Sequence, residues 1–412
     1  MKCRFCGNEL EHVFIDLTNA PPSNSYLAKE QLNEPEIYFP LKVMVCDSCG
    51  LVQVDEYKCS GEIFCEEYAY FSSYSKSWVK HAKDYTEMIC QRLSLNDSSS
   101  VMEIASNDGY LLQFFVEKKI PCFGVEPSSG TAKAAEKKGI ESIMEFFGVF
   151  LAQKIVNQRG RQDLIIGNNV LAHVPDINDF VSGLKIALSD SGTITMEFPH
   201  LLKLIQFNQF DTIYHEHFSY LSLCTVEKIF MKHGLKIYDV EELPTHGGSL
   251  RVYSCHKENI HFNTSESVYQ VKKAEAEFGL LNSAIYSGFQ NKADFVKHSF
   301  INYLIEQKKK GKIIAAYGAA AKGNTFLNYC GIKGTDLIDF VVDASPHKQG
   351  KYLPGSHIPI VNEKVIYDNK PDIIIIFPWN IKDEIMEQLS YAKNWGCRFV
   401  VCIPELKELN SE

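Results

Sequence analysis

Short apolar runs of strand length recur along this chain with helix-like stretches between them, and that alternation limits the fold more than any other feature. Val101-Met102-Glu103-Ile104 reads as a buried strand, Asn107-Asp108-Gly109 as the turn that ends it, and a helix starts near Tyr110. Cys122 to Glu126 is a second strand with a helix from Pro127-Ser128-Ser129, Asp163 to Gly167 a third, and Gly192 to Glu197 a fourth. A helix near Val226 to His233 and strands near Leu235 to Val240 and Ser249 to Cys255 close the set, the last pair antiparallel at a sheet edge. Residues 265 to 310 read as helix. A second alternating unit follows, with strands at Lys312 to Tyr317, Ile338 to Val342, Ile373 to Phe377 and Phe399 to Cys402. Strands alternating with helices require parallel sheets covered on both faces. The expected division is 1–66, 67–257 and 258–412.

A chain of 412 residues is too long for one ordinary core. Its net charge of −9 repels a polyanion, so nucleic acid is not expected as a partner. The densest basic run, Lys308 to Lys310 with Lys312, reads as a solvated helix end. No stretch approaches the roughly 20 apolar residues of a membrane span, so no membrane is expected. Met1-Lys2-Cys3 opens without the apolar run of a leader. Thirteen cysteines, an odd number scattered through apparent core segments, suit a reducing cytoplasm better than a disulfide framework.

Four cysteines stand apart. Cys3-x-x-Cys6 and Cys46-x-x-Cys49 are each followed by a glycine, Gly7 and Gly50, as tight knuckle turns often require. Four thiolates complete a tetrahedral zinc site with no open position, which is a structural site. The blander reading is two unrelated pairs in a reduced core. Cys59 and Cys65 are weaker alternatives as ligands, since they lack the knuckle spacing.

At the end of the first strand, Glu103, Ala105, Asn107, Asp108 and Gly109 form the segment where ligands of open α/β sheets bind. Glu126 ends the next strand, where a carboxylate can accept from both hydroxyls of a ribose. A G-x-G-x-x-G turn for a pyrophosphate is missing. Acidic Glu103 and Asp108 would repel that group but suit the amino end of S-adenosylmethionine. Asn168 and Asn169 follow the third strand, and Asn168 is a candidate for the donor's amino or carboxylate group. His173, a few residues on, is a candidate to reach the acceptor; on residue type alone it would be a capping or core histidine.

Tyr214-His215-Glu216-His217 holds acid–base side chains without H-E-x-x-H spacing, and two imidazoles one residue apart on a strand would diverge. A general base fits better, since taking a proton beside a ketone needs a group with pKa near neutrality. Tyr214 and Glu216 are candidates to orient it or bind a hydroxyl. Further along, Gly318-Ala319-Ala320-Ala321-Lys322-Gly323 follows a strand and opens a helix at Asn324. Its N–H groups and Lys322 suit a diphosphate, although small residues there also serve tight helix–strand packing. Lys348, Tyr352 and His357 lie in a Pro- and Gly-containing loop that fits the same ligand. Taken alone, this turn suggests a nicotinamide-dependent oxidoreductase. A non-catalytic zinc-containing binding protein is the reading from a different class.

Taken together and in this order, these motifs resemble the bacterial sugar C-methyltransferases that act on nucleotide-linked 4-keto-deoxysugars. The likeness runs from the two Cys-x-x-Cys pairs through Tyr68 to Ser73, Glu103 to Gly109, Asn168 to Pro175, Tyr214 to Tyr220, His246 to Arg251 and Tyr317 to Gly323 to Lys348–Pro359. The resemblance implies a zinc-binding N-terminal domain, a Rossmann-like S-adenosylmethionine domain and a smaller Rossmann-like C-terminal domain that binds the nucleotide. It also implies that His217 is the base, supported by Tyr214, Glu216, His173 and Tyr68. Tyr70, Arg251, Lys322, Asn324, Lys348, Tyr352 and His357 are then candidates for the substrate. Oligomeric state stays open.

Overall fold

The structure, a computed structural model, describes residues 1–57, 61 and 71–409. Two compact units divide the chain. One comprises Met1–Glu11, Val45–Leu201 and Phe218–Asn282; the other comprises His12–Met44, Leu202–His217 and Ser283–Glu412.

The first unit is built on strands β1 (Val101–Ile104), β2 (Cys122–Val125), β3 (Ser142–Ile143), β4 (Gln162–Asn168), β5 (Leu188–Pro199), β6 (Leu235–Leu243) and β7 (Ser249–His256). Among the described residues their order is β3-β2-β1-β4-β5-β7-β6, all parallel except β7, which runs antiparallel to both neighbours. The central strands are apolar and buried on both faces, as a doubly covered parallel sheet demands. Strand order reverses between β1 and its two neighbours, β2 and β4. The carboxyl ends of those strands therefore bring residues 105–109, Glu126 and Asn168 to one edge, at a topological switch point.

The helix Lys76–Leu93 starts where Ser75 accepts the N–H of Trp78 at 3.2 Å and ends at Ser94 in the left-handed region. Its Trp78, Ala82, Tyr85 and Ile89 lie one turn apart and pack with Leu112, Phe115, Val101 and Leu164. Truncating a fully buried ring such as Phe115 to alanine would cost about 3–5 kcal/mol. The long helix expected over 265 to 310 is instead two, Glu266–Phe278 and Phe289–Lys309, with a 3-10 turn at Ser283–Tyr286 between them. Gly279, at φ +92, stops the first by receiving the left-handed cap that a glycine takes at little cost.

The second unit holds β8 (Ile314–Tyr317), β9 (Phe340–Val342), β10 (Ile360–Val361), β11 (Ile373–Ile376), β12 (Arg398–Val401) and β13 (Lys407–Leu409). Their order is β10-β9-β8-β11-β12-β13, parallel but for the last. The strand His12–Ala20 joins this unit through Phe14, which stacks on Phe289 at 4.6 Å. No helix among the described residues is long and apolar enough to cross a membrane.

Candidate functional site

The sulfur atoms of Cys3, Cys6, Cys46 and Cys49 all lie within 4.8 Å of one another. Cys3–Cys49 and Cys6–Cys46 are separated by 3.6 and 3.5 Å. Tetrahedral ligands at Zn–S distances near 2.3 Å sit about 3.8 Å apart, so the thiols fit zinc without rearrangement. Each pair is a closed knuckle: Gly7 N–H donates to Cys3 O and Gly50 N–H to Cys46 O, with φ of +80 and +83 at the glycines. Gln53 donates to Cys3 Sγ at 3.2 Å while its carbonyl holds Arg4 N–H at 2.9 Å, which orients the ligand. The Cys49 thiol, donating to Cys3, holds Cys3 low, at about 4, and is itself pushed up.

At the switch-point edge, Ala105, Asn107 and Gly109 all take positive φ, which folds the turn tightly against the sheet. A Cβ at Gly109 would lie 2.4 Å from Ile140. Glu126 ties this turn down, accepting the N–H groups of Asn107 and Ser128 at 2.9 Å each. Burial raises its carboxyl, opposed by the bonds from Ser128, Asn107 and Thr131. Asn168 is buried with neither end of its amide bonded, and Asp108 Oδ1 and Ser106 Oγ are likewise buried without a partner. The unmet polar atoms of Asn168 and Asp108, at the carboxyl ends of adjacent strands, fit a polar ligand such as an adenosyl donor. Glu103 is different. It is enclosed within β1, and burial pushes its carboxyl well above the usual range, with Tyr110 opposing the shift. Asn169 follows at φ +54, its amide 2.8 Å from His246 Nε2, and His173 ends the 3-10 turn Leu171–His173.

The Tyr214–His217 segment is not a strand. His217 N–H donates to Tyr214 O at 2.9 Å, closing a turn. His215 points to the carbonyl of Pro40 at 3.2 Å and is buried, which lowers its pKa. A carbonyl only accepts, so the 2.8 Å contact between His217 Nδ1 and Thr212 O puts the proton on Nδ1. In the neutral imidazole Nε2 is then the lone pair, 2.7 Å from the Tyr214 hydroxyl. Glu216 is buried and accepts from Asn24 Nδ2 at 2.7 Å. Among the described residues the four cysteines are the one cluster of three or more ligands gathered closely enough to hold a metal.

In the second unit, Gly318 and Gly323 have packing reasons of their own. Added Cβ atoms would meet Pro378 at 2.4 Å and Phe377 at 2.7 Å. Lys322 bonds Asn380 at 2.9 Å and lies 4.4 Å above the Trp379 ring. Lys348 donates to Ala319 O at 2.9 Å and pairs with Asp343 at 3.4 Å; burial lowers its pKa, but Tyr26 and Asp343 together outweigh that and raise it. Asn324 is buried, donating to Ser23 O at 2.6 Å, with its own carbonyl oxygen unpartnered. His357, at φ +58, meets Glu36 at 3.0 Å, and Tyr352 pairs through its backbone with Leu27.

Arg251, expected to contact substrate, is committed elsewhere. It is buried on β7 and pairs with Glu197 at 2.8 Å and Glu241 at 3.0 Å. Glu197 also takes His81 at 2.9 Å and Thr245 at 2.8 Å. Tyr68 and Tyr70, like Cys59 and Cys65, lie outside the described residues. Sequence reading passed over Glu197, His81, Asn24, Asp211 and Asp343. Only Asp343 carried a legible signal, an acid ending the strand after the glycine turn; its Oδ2 accepts Ala319 N–H at 2.8 Å.

Sheet order, a switch-point turn closed by Glu126 and an unsatisfied Asn168 define a Rossmann-like S-adenosylmethionine-dependent methyltransferase, here carrying a four-cysteine zinc site. The chain matches three family models: "Putative zinc binding domain" over residues 3–64, "Methyltransferase domain" over 78–240 and "C-methyltransferase C-terminal domain" over 244–404. It is 31% identical over 411 residues to C-methyltransferase NovU of Streptomyces niveus, covering 100% of this chain and 97% of that one. It therefore belongs to the C-methyltransferase family, with S-adenosylmethionine and structural zinc as cofactors. Similar solved structures include an S-adenosylmethionine-dependent methyltransferase from Clostridium acetobutylicum, at TM-score 0.35 and 13% identity, covering 43% of this chain and 92% of that one. Another is magnesium protoporphyrin IX methyltransferase from Synechocystis with bound S-adenosylmethionine, at TM-score 0.33 and 16% identity, covering 43% and 81%.

Proposed function

We propose that the acceptor is a nucleotide-linked 4-keto-deoxysugar and that the methyl group goes to the carbon beside the ketone, C3. In this reading residues 1–66 hold zinc, 67–257 the methyl donor and 258–412 the acceptor's nucleotide. One observation carries it: the imidazole of His217 has its proton on Nδ1, held by Thr212 O, which leaves Nε2 as a base. Methylating an oxygen or nitrogen needs no carbon acid to be ionised; methylating a carbon does. The C4 ketone acidifies the C3 hydrogen, Nε2 takes that proton, and the enolate carbon becomes the nucleophile. The Tyr214 hydroxyl, now on the Nε2 lone pair, has to yield for this to happen. Asn24 bonds the Glu216 carboxylate, next to the base in sequence, and Glu216 is the proposed acceptor for a sugar hydroxyl.

S-adenosylmethionine, when bound, supplies an electrophilic methyl on a sulfonium. Glu126 would bind its ribose hydroxyls and Asn168 its amino-acid end. Carbon and methyl must approach to about 3–3.5 Å in line with water excluded. Tyr68 and His173 are the proposed donors to the enolate oxygen. Lys322, within the Gly318–Gly323 turn, and Lys348, which donates to Ala319 O of that turn, supply cations for a diphosphate. The test is incubation with labelled methyl donor and a panel of dTDP-, GDP- and CDP-linked 4-keto-sugars, read by mass spectrometry. Label on a ring carbon next to the ketone is expected. Label on oxygen, or no transfer to any member, overturns the substrate assignment.

A further inference from the structure

The turn that presents the Nδ1 acceptor of His217 is itself held by a buried acid. Asp211 and Thr212 belong to the 3-10 turn Phe210–Thr212. Thr212 folds back on Gln209, its hydroxyl and N–H reaching Gln209 O at 2.7 and 3.1 Å. The next carbonyl, of Ile213, accepts from the Thr325 hydroxyl at 2.8 Å. Asp211 is 2% exposed, and its Oδ2 accepts the indole N–H of Trp379 at 2.7 Å. Trp379 opens the Trp379–Ile381 turn a few residues beyond β11 and lies under the Lys322 ammonium. A carboxyl buried in a three-residue turn costs several kcal/mol unless it is well bonded. Phe210 packs on Phe326 and Tyr329, so burying the turn needs no acid.

We propose that Asp211 is a positioning residue: its bond to Trp379 fixes the turn so that Thr212 O meets His217 Nδ1, keeping the imidazole in the one tautomer whose Nε2 can accept a proton. In water an imidazole exchanges between two tautomers, and the acceptor supplied to one nitrogen decides which persists. This rests on His217 as the base and adds what makes it one.

The experiment uses the zinc-loaded chain with S-adenosylhomocysteine. Long-range proton–nitrogen NMR reports the His217 tautomer, its signal assigned by loss in His217→Asn. Exchange of the C3 hydrogen of dTDP-4-keto-6-deoxyglucose in heavy water reports proton abstraction. Asp211→Ala is expected to show the Nε2–H tautomer and to exchange about 10- to 100-fold more slowly, with the KM for that probe unchanged within a few fold. Asp211→Asn keeps an oxygen for the indole and is expected to recover the native tautomer and most of the rate. Trp379→Phe, which leaves the turn sequence intact, is expected to behave like Asp211→Ala and decides the matter if the alanine variant does not fold. Native tautomer and native exchange in these variants overturn the proposal. Native exchange in His217→Asn overturns the base reading instead, and the tautomer measurement still judges Asp211.

Discussion

The hydroxyl of Tyr214 and Nε2 of His217 lie 2.7 Å apart at the two ends of one tight turn. Their rings are tilted by 33° with centroids 3.9 Å apart. With Nδ1 donating to a backbone carbonyl, the ring is fixed at both nitrogens, and Tyr214 covers the lone pair that a carbon acid would need. Replacing His217 by asparagine should therefore lower methyl transfer by about 100- to 10,000-fold. Calorimetry with S-adenosylhomocysteine should show donor binding within a few fold of wild type. Unchanged turnover would remove His217 from the chemistry.

Glu126 bonds two backbone N–H groups of the donor turn and is offered a ribose in the proposed complex. Charge-assisted bonds of this kind contribute about 1.5–3 kcal/mol. Glu126→Ala should weaken binding of S-adenosylhomocysteine at least about tenfold by calorimetry, without changing zinc content. Equal affinity for wild type and variant would place the ribose elsewhere.

Zinc should be present at one per chain, and Cys46→Ser should lose it. Bound metal stabilises only the folded state, so prolonged chelation should lower the melting temperature of the wild type, and added zinc should restore it. A melting curve indifferent to chelator would rule out a structural metal.

Burial raises Asp211 to about 6, opposed by Lys322 and the indole of Trp379. Its folded pKa exceeds the unfolded value of about 3.9. The group's stabilising contribution is then complete below about pH 4 and lost as pH rises to about 6, some ~3 kcal/mol in all. Denaturant titrations of wild type and Asp211→Asn should accordingly diverge between those pH values, with wild type losing ground. Parallel curves would mean that the acid is not desolvated.

Arg251 and Glu197 form a buried pair on β7 and β5. Burial alone would raise the Glu197 carboxyl, but the bonds from His81 and the charge of Arg251 outweigh it and hold it low. Arg251→Met should cost about 3–5 kcal/mol of stability by leaving that charge unpaired, and adding Glu197→Gln should return much of it. KM for a nucleotide sugar should stay put in the double variant. A large rise in KM at full stability would return Arg251 to the substrate.

Much was legible in order along the chain, because the signals are local. Period and turn chemistry gave both parallel sheets, the Cys-x-x-Cys spacing gave the zinc ligands, and strand ends placed the candidate donor turn and Glu126 at one sheet edge. Helix content over 265 to 310 was legible too, but not its interruption, since the glycine cap at Gly279 acts through one dihedral and leaves the composition unchanged. What the residues could not show was commitment. Arg251 has the chemistry to bind a diphosphate and pairs instead with Glu197, while Glu103 is enclosed within β1, where burial raises its carboxyl.

Residue type and spacing thus determined by themselves the four thiolates this protein has for zinc and the alternating strands and helices that carry its other candidate groups. Only the tertiary structure decided which nitrogen of His217 faces a carbonyl and which a hydroxyl, because Thr212 O and Tyr214 reach it through space. A hydrogen bond depends on where two atoms meet, and the chain reports only that they exist.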